Sequence, residues 1–222
     1  MEQDFFGIAA FTAAMGVIST FVALPPAIAA AWLLARRRVV ARPVVETVLA
    51  LPLVLPPVAT GFLLLQLFGI NTLVGRTLDR LGIDVVFTWK AVVIAMAVMS
   101  FPLMVLTIRA GFEQVDTRYE RVAATLGAGP WRVFATITLP LAARSILAGA
   151  LLGFARALGE FGATIVVAGG IPGQTQTLAV AIFNLTEAGR DADASRLLLV
   201  SIALAFGAML LAALVQRRKQ AE

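Results

Sequence analysis

Residues 89–109 read WKAVVIAMAVMSFPLMVLTIR, with no charged side chain between Lys90 and Arg109. About 20 apolar residues rising about 1.5 Å each carry a helix across about 30 Å of hydrocarbon, so this stretch reads as a membrane span. Working outward, four more segments meet the same standard: Phe6 to Ala35, Val44 to Phe68, Ser145 to Gly170 and Leu197 to Val215. Pro25-Pro26 should kink or break the first, and Pro52 and Pro56-Pro57 interrupt the second; neighbouring helices can satisfy the carbonyls that proline frees. Thr177 to Leu185 is apolar but too short to cross, and reads as a re-entrant or interfacial helix, with a sixth crossing left open. The expectation is an all-α membrane protein, a polytopic bundle of five or six transmembrane helices forming one domain over residues 1–222.

Composition agrees. Of 222 residues, 60% are hydrophobic and 14% charged, against roughly 25% charged in soluble domains. His and Cys are both absent, which removes the usual ligands of zinc, haem and iron–sulfur centres and any disulfide framework. The net charge of +5 would point a soluble domain toward nucleic acid, but these cations stand between apolar runs, where they mark topology and lipid headgroups, and no nucleic-acid partner is expected. Glu2 and Asp4 stand where a secretory signal would be basic, so none is expected.

Alternating spans divide the connecting segments into two sets. Arg36, Arg37, Arg38, Arg42, Arg109, Arg118, Arg121, Arg132, Arg144, Arg217, Arg218 and Lys219 make twelve, and Arg76, Arg80, Lys90, Arg190 and Arg196 make five. The richer set belongs in the cytoplasm, which places the N-terminus outside and the C-terminus inside. Arg36-Arg37-Arg38 and Arg217-Arg218-Lys219 read as topology anchors without chemistry.

The cytoplasmic segment from Ala110 to Arg144 reads as two short helices around Gly127-Ala-Gly129-Pro130. Gly127 or Gly129 can end the first in a left-handed conformation, and Pro130 suits the first position of the second. Trp131, Phe134 and Ile137 then form an apolar edge. Periodicity alone allows a plain hairpin padding the membrane surface.

The run ERVAATLGAGPWRVFATITLP, residues 120–140, resembles the EAA loop of importer-type ABC transporter permeases, whose pattern is Glu-Ala-Ala, three residues, Gly, nine residues, Ile, one residue, Leu-Pro. Ala123, Gly127, Ile137, Leu139 and Pro140 match at that spacing; Arg121 and Val122 depart from it, and Glu120 stands one place early. LPLVLPPVATGFLLL (51–65), AVMSFPLMVLTIRAGFEQVD (97–116) and FARALGEFGATIVVAGGIPGQTQTL (154–178) narrow the resemblance to molybdate-type permeases, with sulfate, tungstate and phosphate permeases sharing parts of the vocabulary. It implies a MetI-like permease architecture in a bacterial or archaeal inner membrane. It also implies a homodimer around a central pathway, an extracytoplasmic oxyanion-binding protein, and a separate cytoplasmic ABC ATPase that carries the ATP and Mg. The docking residues would be Glu120, Ala123, Gly127, Gly129, Pro130, Trp131, Arg132, Ile137, Leu139 and Pro140. The chain itself has no G-x-x-x-x-G-K-[ST] loop, so it is not expected to be an enzyme or to bind a cofactor.

One ion pair is expected inside the fourth span. On an unbroken helix Arg156 and Glu160 lie about 15 and 21 Å past Ile146, near mid-bilayer, where a charge costs about 2.5–3.5 kcal/mol. Gly149, Gly153, Arg156, Glu160 and Thr164 share one arc, opposite Leu147, Leu151, Phe154, Leu158, Phe161 and Ile165. Gly149 and Gly153 permit close approach of a neighbouring helix. Either the pair only fixes packing, or Arg156, Glu160 and Thr164 line the pathway of an oxyanion held weakly enough to leave. A self-contained channel or secondary transporter is disfavoured by the lack of an inverted repeat, and a membrane enzyme by the lack of a nucleophile and base or a metal set.

Overall fold

The computed structural model describes residues 5–36 and 41–217. Glu2, Asp4, Arg37, Arg38, Arg218 and Lys219 lie outside the described residues, so the anchor and leader expectations resting on them are not addressed. The described chain is helical throughout: α1 (Phe5–Arg36), α2 (Arg42–Val54), α3 (Pro57–Phe68), α4 (Leu73–Arg80), α5 (Trp89–Gln114), α6 (Thr117–Thr125), α7 (Pro130–Val133), a π-helical turn (Phe134–Thr138), α8 (Leu139–Leu158), α9 (Gly162–Ala168), α10 (Leu178–Glu187) and α11 (Asp191–Arg217). Four helical stretches are long and apolar enough to cross a membrane, namely Phe5–Arg36, Trp89–Gln114, Pro130–Leu158 and Asp191–Leu214, or five if α2 and α3 count as one bent crossing.

The hub is α5. It is apolar around its whole circumference, as a helix enclosed by others must be, and it buries Val92, Met96, Met99, Met104, Ile108 and Phe112 against α1, α8 and α9. From α1 it receives a stripe of small residues, Ala23, Ala27 and Ala31, buried at four-residue spacing, the pattern that lets backbones approach where no hydrophobic effect drives association; Gly16, earlier in α1, faces Phe154 and Leu158 of α8. α8 meets α5 in the same way. A Cβ on Gly149 would stand 2.7 Å from Cγ1 of Ile108, and one on Gly153 2.5 Å from Cγ of Met104.

Two spans differ from expectation, and one is interrupted where its second proline cluster is expected to interrupt it. Pro25-Pro26 do not break α1, which runs unbroken for 32 residues; both rings lie on its exposed side while Ala23, Ala27 and Ala31 carry the buried stripe past them. The second span is interrupted at Pro56-Pro57 as expected, α2 and α3 meeting at 109°, whereas Pro52 stays inside α2. Leu55 and Pro56 are extended, at ψ 143 and 132, because a residue preceding proline is driven out of the helical region, and Pro57 then starts a new helix. The fourth span stops at Leu158, and Gly159-Glu160-Phe161 separate it from α9. The arc drawn through Arg156, Glu160 and Thr164 therefore does not exist, and Arg156 lies in the last turn of α8 rather than midway along a continuous helix. α10, expected as a short non-spanning helix, is one, and its Leu178, Ala181 and Leu185 pack with Ala194 and Leu197 of α11.

Candidate functional site

At one end of the bundle α5 hands over to the hairpin of α6 and α7. Asp116 starts α6 by accepting a hydrogen bond from the Arg118 amide at 2.8 Å. The helix closes with the Ala128 amide donating to the Ala123 carbonyl at 3.1 Å and the Gly127 amide to the Ala124 carbonyl at 3.0 Å. This paired closure requires a left-handed residue, and Gly127 supplies it at φ +85. Gly129 does not, having φ −66, and instead precedes Pro130, which opens α7. The second helix is not a separate piece: α7 runs through the π-helical turn directly into α8. Pro140 sits just past that turn, where the Leu139 amide reaches back five residues to the Phe134 carbonyl. A widened turn of this kind relieves the ring-to-carbonyl clash that proline causes in a regular helix.

Glu120 has an internal role that its displaced position in the motif did not reveal. Its Oε1 accepts from Arg36 Nε at 3.0 Å and from the Thr138 hydroxyl at 2.8 Å, while Arg36 also donates to the Val115 carbonyl at 2.7 Å. One carboxylate thus ties the end of α1, the first hairpin helix and the π-helical turn, and Arg36 is a structural strut as well as a topology cation. Phe134 packs edge-on to Trp32 at 5.3 Å and under Trp131 at 5.4 Å. A cleft of about 410 Å³ lies between these parts, lined by Trp32, Arg36, Glu120, Pro130, Phe134 and Thr138. Outside it, Tyr119, Val122, Leu126 and Trp131 are 58–83% exposed, and Arg132 and Pro140 are exposed while Ala123, Ile137 and Leu139 are half-buried.

The hairpin base is held by a second set of ion pairs whose cations counted only toward topology in the sequence. Arg109 bridges Glu46 at 2.8 Å and Glu113 at 2.7 Å, and Arg42 bridges Glu46 at 2.8 Å and Glu113 at 3.7 Å, joining α2 to α5.

At the far end of α8 the expected pair forms. Arg156 Nη1 lies 2.9 Å from Oε2 of Glu160, whose side chain is 1% exposed. The other oxygen of Glu160 accepts the Ala163 amide at 2.9 Å, so the carboxylate also caps the first turn of α9. Thr164 is fully buried, and its hydroxyl has no hydrogen-bond partner among the described residues. The structure therefore places the predicted residues in two groups, the hairpin and the α8–α9 break, at opposite ends of α8.

The apolar helices, with broken helices at one end and a braced hairpin at the other, make a multi-pass helical bundle of membrane type. The family described as binding-protein-dependent transport system inner membrane component matches residues 5–220, and the chain belongs to it. It is 48% identical over 196 residues to the molybdenum transport system permease protein ModB of Escherichia coli K12, covering 87% of this chain and 86% of that protein. With ModB of Haemophilus influenzae the identity is 44% over 208 residues, covering 93% and 91%. Among solved structures it resembles a chain of a bacterial alginate ABC transporter in complex with an alginate pentasaccharide-bound periplasmic protein, at a TM-score of 0.68 and 18% identity, covering 98% of this chain and 80% of that one.

Proposed function

We propose that this chain is the permease of an ABC importer for molybdate, working as a pair of copies with a cytoplasmic ATPase and an extracytoplasmic binding protein. The observation that carries the substrate is the 48% identity to a molybdenum permease across nearly the whole of both chains. The assembly reading is supported by the hairpin. It is braced, since the Glu120 carboxylate and Phe134 ring tie it to α1 and the π-helical turn, and it presents Leu126 and Trp131 outward at 83% and 78% exposure. Exposed large apolar residues on a braced element fit a protein contact better than a lipid or solvent face. In this reading the hairpin is cytoplasmic and seats in the ATPase, and movement imposed on it passes through α7 and the π-helical turn into α8. Ala123, Gly127, Gly129 and Pro130 set the turn; Trp131 and Arg132 meet the ATPase; Ile137, Leu139 and Pro140 transmit the motion.

Deleting this chain should abolish molybdenum-dependent enzyme activity at low external molybdate and leave it intact at high molybdate. Normal molybdate uptake beside a sulfate or phosphate defect assigns the permease to another oxyanion.

A further inference from the structure

A threonine in an apolar helix ordinarily returns its hydroxyl hydrogen to the carbonyl four residues back. Thr12, Thr20, Thr107 and Thr186 do so at 2.8, 2.8, 2.8 and 2.9 Å. Thr60 and Thr164 do not. At 5% and 0% exposure, theirs are the two buried side-chain polar atoms without a hydrogen-bond partner among the described residues. The helix breaks explain why the local acceptor fails. Four residues before Thr60 stands Pro56, whose carbonyl already receives the Ala59 and Thr60 amides at 2.9 and 3.2 Å; four before Thr164 stands Glu160, outside α9.

The two threonines stand on the two helices that form one seam. α3 and α9 pack side by side from their first residues, so that a Cβ on Gly61 would stand 2.7 Å from the Ala163 carbonyl oxygen and one on Gly162 2.7 Å from Cβ of Pro57. Thr60 and Thr164 are the immediate chain neighbours of Gly61 and Ala163, one on each side of the contact. An unmet buried hydroxyl is costly in protein and more so in a bilayer, and two of them at one helix contact call for an acceptor that is present for part of the cycle. A tetrahedral oxyanion offers only acceptors, and neutral hydroxyl donors hold it weakly enough to release it, as flux requires.

Resting on the reading that the chain carries an oxyanion, we propose that the Thr60 and Thr164 hydroxyls donate hydrogen bonds to the translocated anion when α3 and α9 part. Both are covered in the present arrangement, so they meet the anion only in a state in which the seam has opened.

The test is Thr60→Val, Thr164→Val and the double substitution, each beside its Ser counterpart, in the complete transporter reconstituted with its ATPase and binding protein. Two quantities are measured: anion uptake, and the melting temperature of the purified complex. Removing the hydroxyl while keeping the branched shape is neutral or stabilising where the group has no partner. Uptake by the double Val variant is expected to fall about tenfold or more with the melting temperature unchanged or raised, and the Ser variants are expected to keep most of the uptake. Wild-type uptake in the Val variants overturns the inference, and so does a melting temperature that falls together with uptake, because the hydroxyls would then have an internal structural partner. Molybdate and sulfate are both assayed. Failure of the substrate reading appears as absent molybdate uptake by the wild type, whereas failure of this inference appears as undiminished uptake of whichever anion the wild type carries.

Discussion

Glu120 holds the hairpin through a single oxygen, which serves two donors drawn from elements far apart in sequence. Arg36 and Glu120 are largely buried, at 12% and 20% side-chain exposure, so truncating the carboxylate leaves a shielded guanidinium without its counter-ion. Glu120→Ala should cost about 1–3 kcal/mol, read as a lower melting temperature of the purified complex. Adding Arg36→Ala should cost less than the two single effects together, since both remove the same contact. Strict additivity would mean that the bridge contributes nothing. Gly127 acts differently. Open space surrounds the position of its missing Cβ, and the constraint is φ +85 alone, so Gly127→Asp should cost about 1 kcal/mol in the turn and leave membrane insertion intact. Its larger effect should fall on docking, where a carboxylate would be buried unpaired against the ATPase: co-purification of the ATPase and uptake should drop together, and retention of both would reduce the hairpin to padding. The left-handed glycine and the helix-opening Pro130 were legible in the sequence because both obey local backbone rules. The Arg36–Glu120 bridge was not, since 84 residues separate its ends and charge counting assigns Arg36 to topology alone.

Among the elements, hydropathy located the apolar segments, while proline marked one true break, one that does not occur, and none at the α8–α9 junction. Pro25-Pro26 and Pro56-Pro57 look alike in sequence, yet only the second breaks its helix. α1 has buried residues on both sides of its prolines, among them Ala23 and Ala27, and that packing holds one axis through the defect; α2 has no fully buried residue, only Val45 and Leu49 partly packed on the core, and that lighter packing does not override the turn that Leu55 and Pro56 favour. Tertiary burial decides between these outcomes, and a single sequence does not display it. The α8–α9 break contains no proline, and only Gly159 and the capping carboxylate of Glu160 mark it. The packing of α8 on α5 was legible, because Gly149 and Gly153 stand four residues apart on a span. Gly149→Val should destabilise by about 1–3 kcal/mol through overpacking against Ile108. Gly153→Ala should cost less, because it adds one methyl where Gly149→Val adds three carbons, although Cγ and Sδ of buried Met104, 2.5 and 2.6 Å from the new Cβ, must shift. Melting temperatures and membrane levels of the two variants check the order, and a more harmful Gly153→Ala would show that Met104 has no room to move.

For the molecule as a whole, orientation in the membrane follows from the distribution of charge rather than from packing, since a helical bundle packs identically either way up. The twelve Lys and Arg of one set of connections against five of the other predict a cytoplasmic hairpin and an external α10–α11 turn. Folding supports the pairing of ends without choosing the side. α8 leads away from the hairpin, α11 returns beside it, and the turn at Ala188 to Arg190 therefore belongs to the end remote from Gly127. The chain contains no Cys, so single substitutions report without background. Thr125→Cys on the hairpin and Ala188→Cys at the turn both replace exposed residues and should leave the fold and uptake unchanged. In intact cells a membrane-impermeant thiol reagent should modify Ala188→Cys and spare Thr125→Cys, and permeabilisation should render Thr125→Cys reactive. Assembly adds a second expectation: with the ATPase co-expressed, Thr125→Cys should react more slowly in permeabilised cells than in its absence, because the hairpin is then covered, while Ala188→Cys should not change. Modification of Thr125→Cys from outside intact cells would reverse the orientation and remove the hairpin from the reach of any cytoplasmic motor. Equal rates with and without the ATPase would keep the orientation but place the coupling contact elsewhere on the molecule.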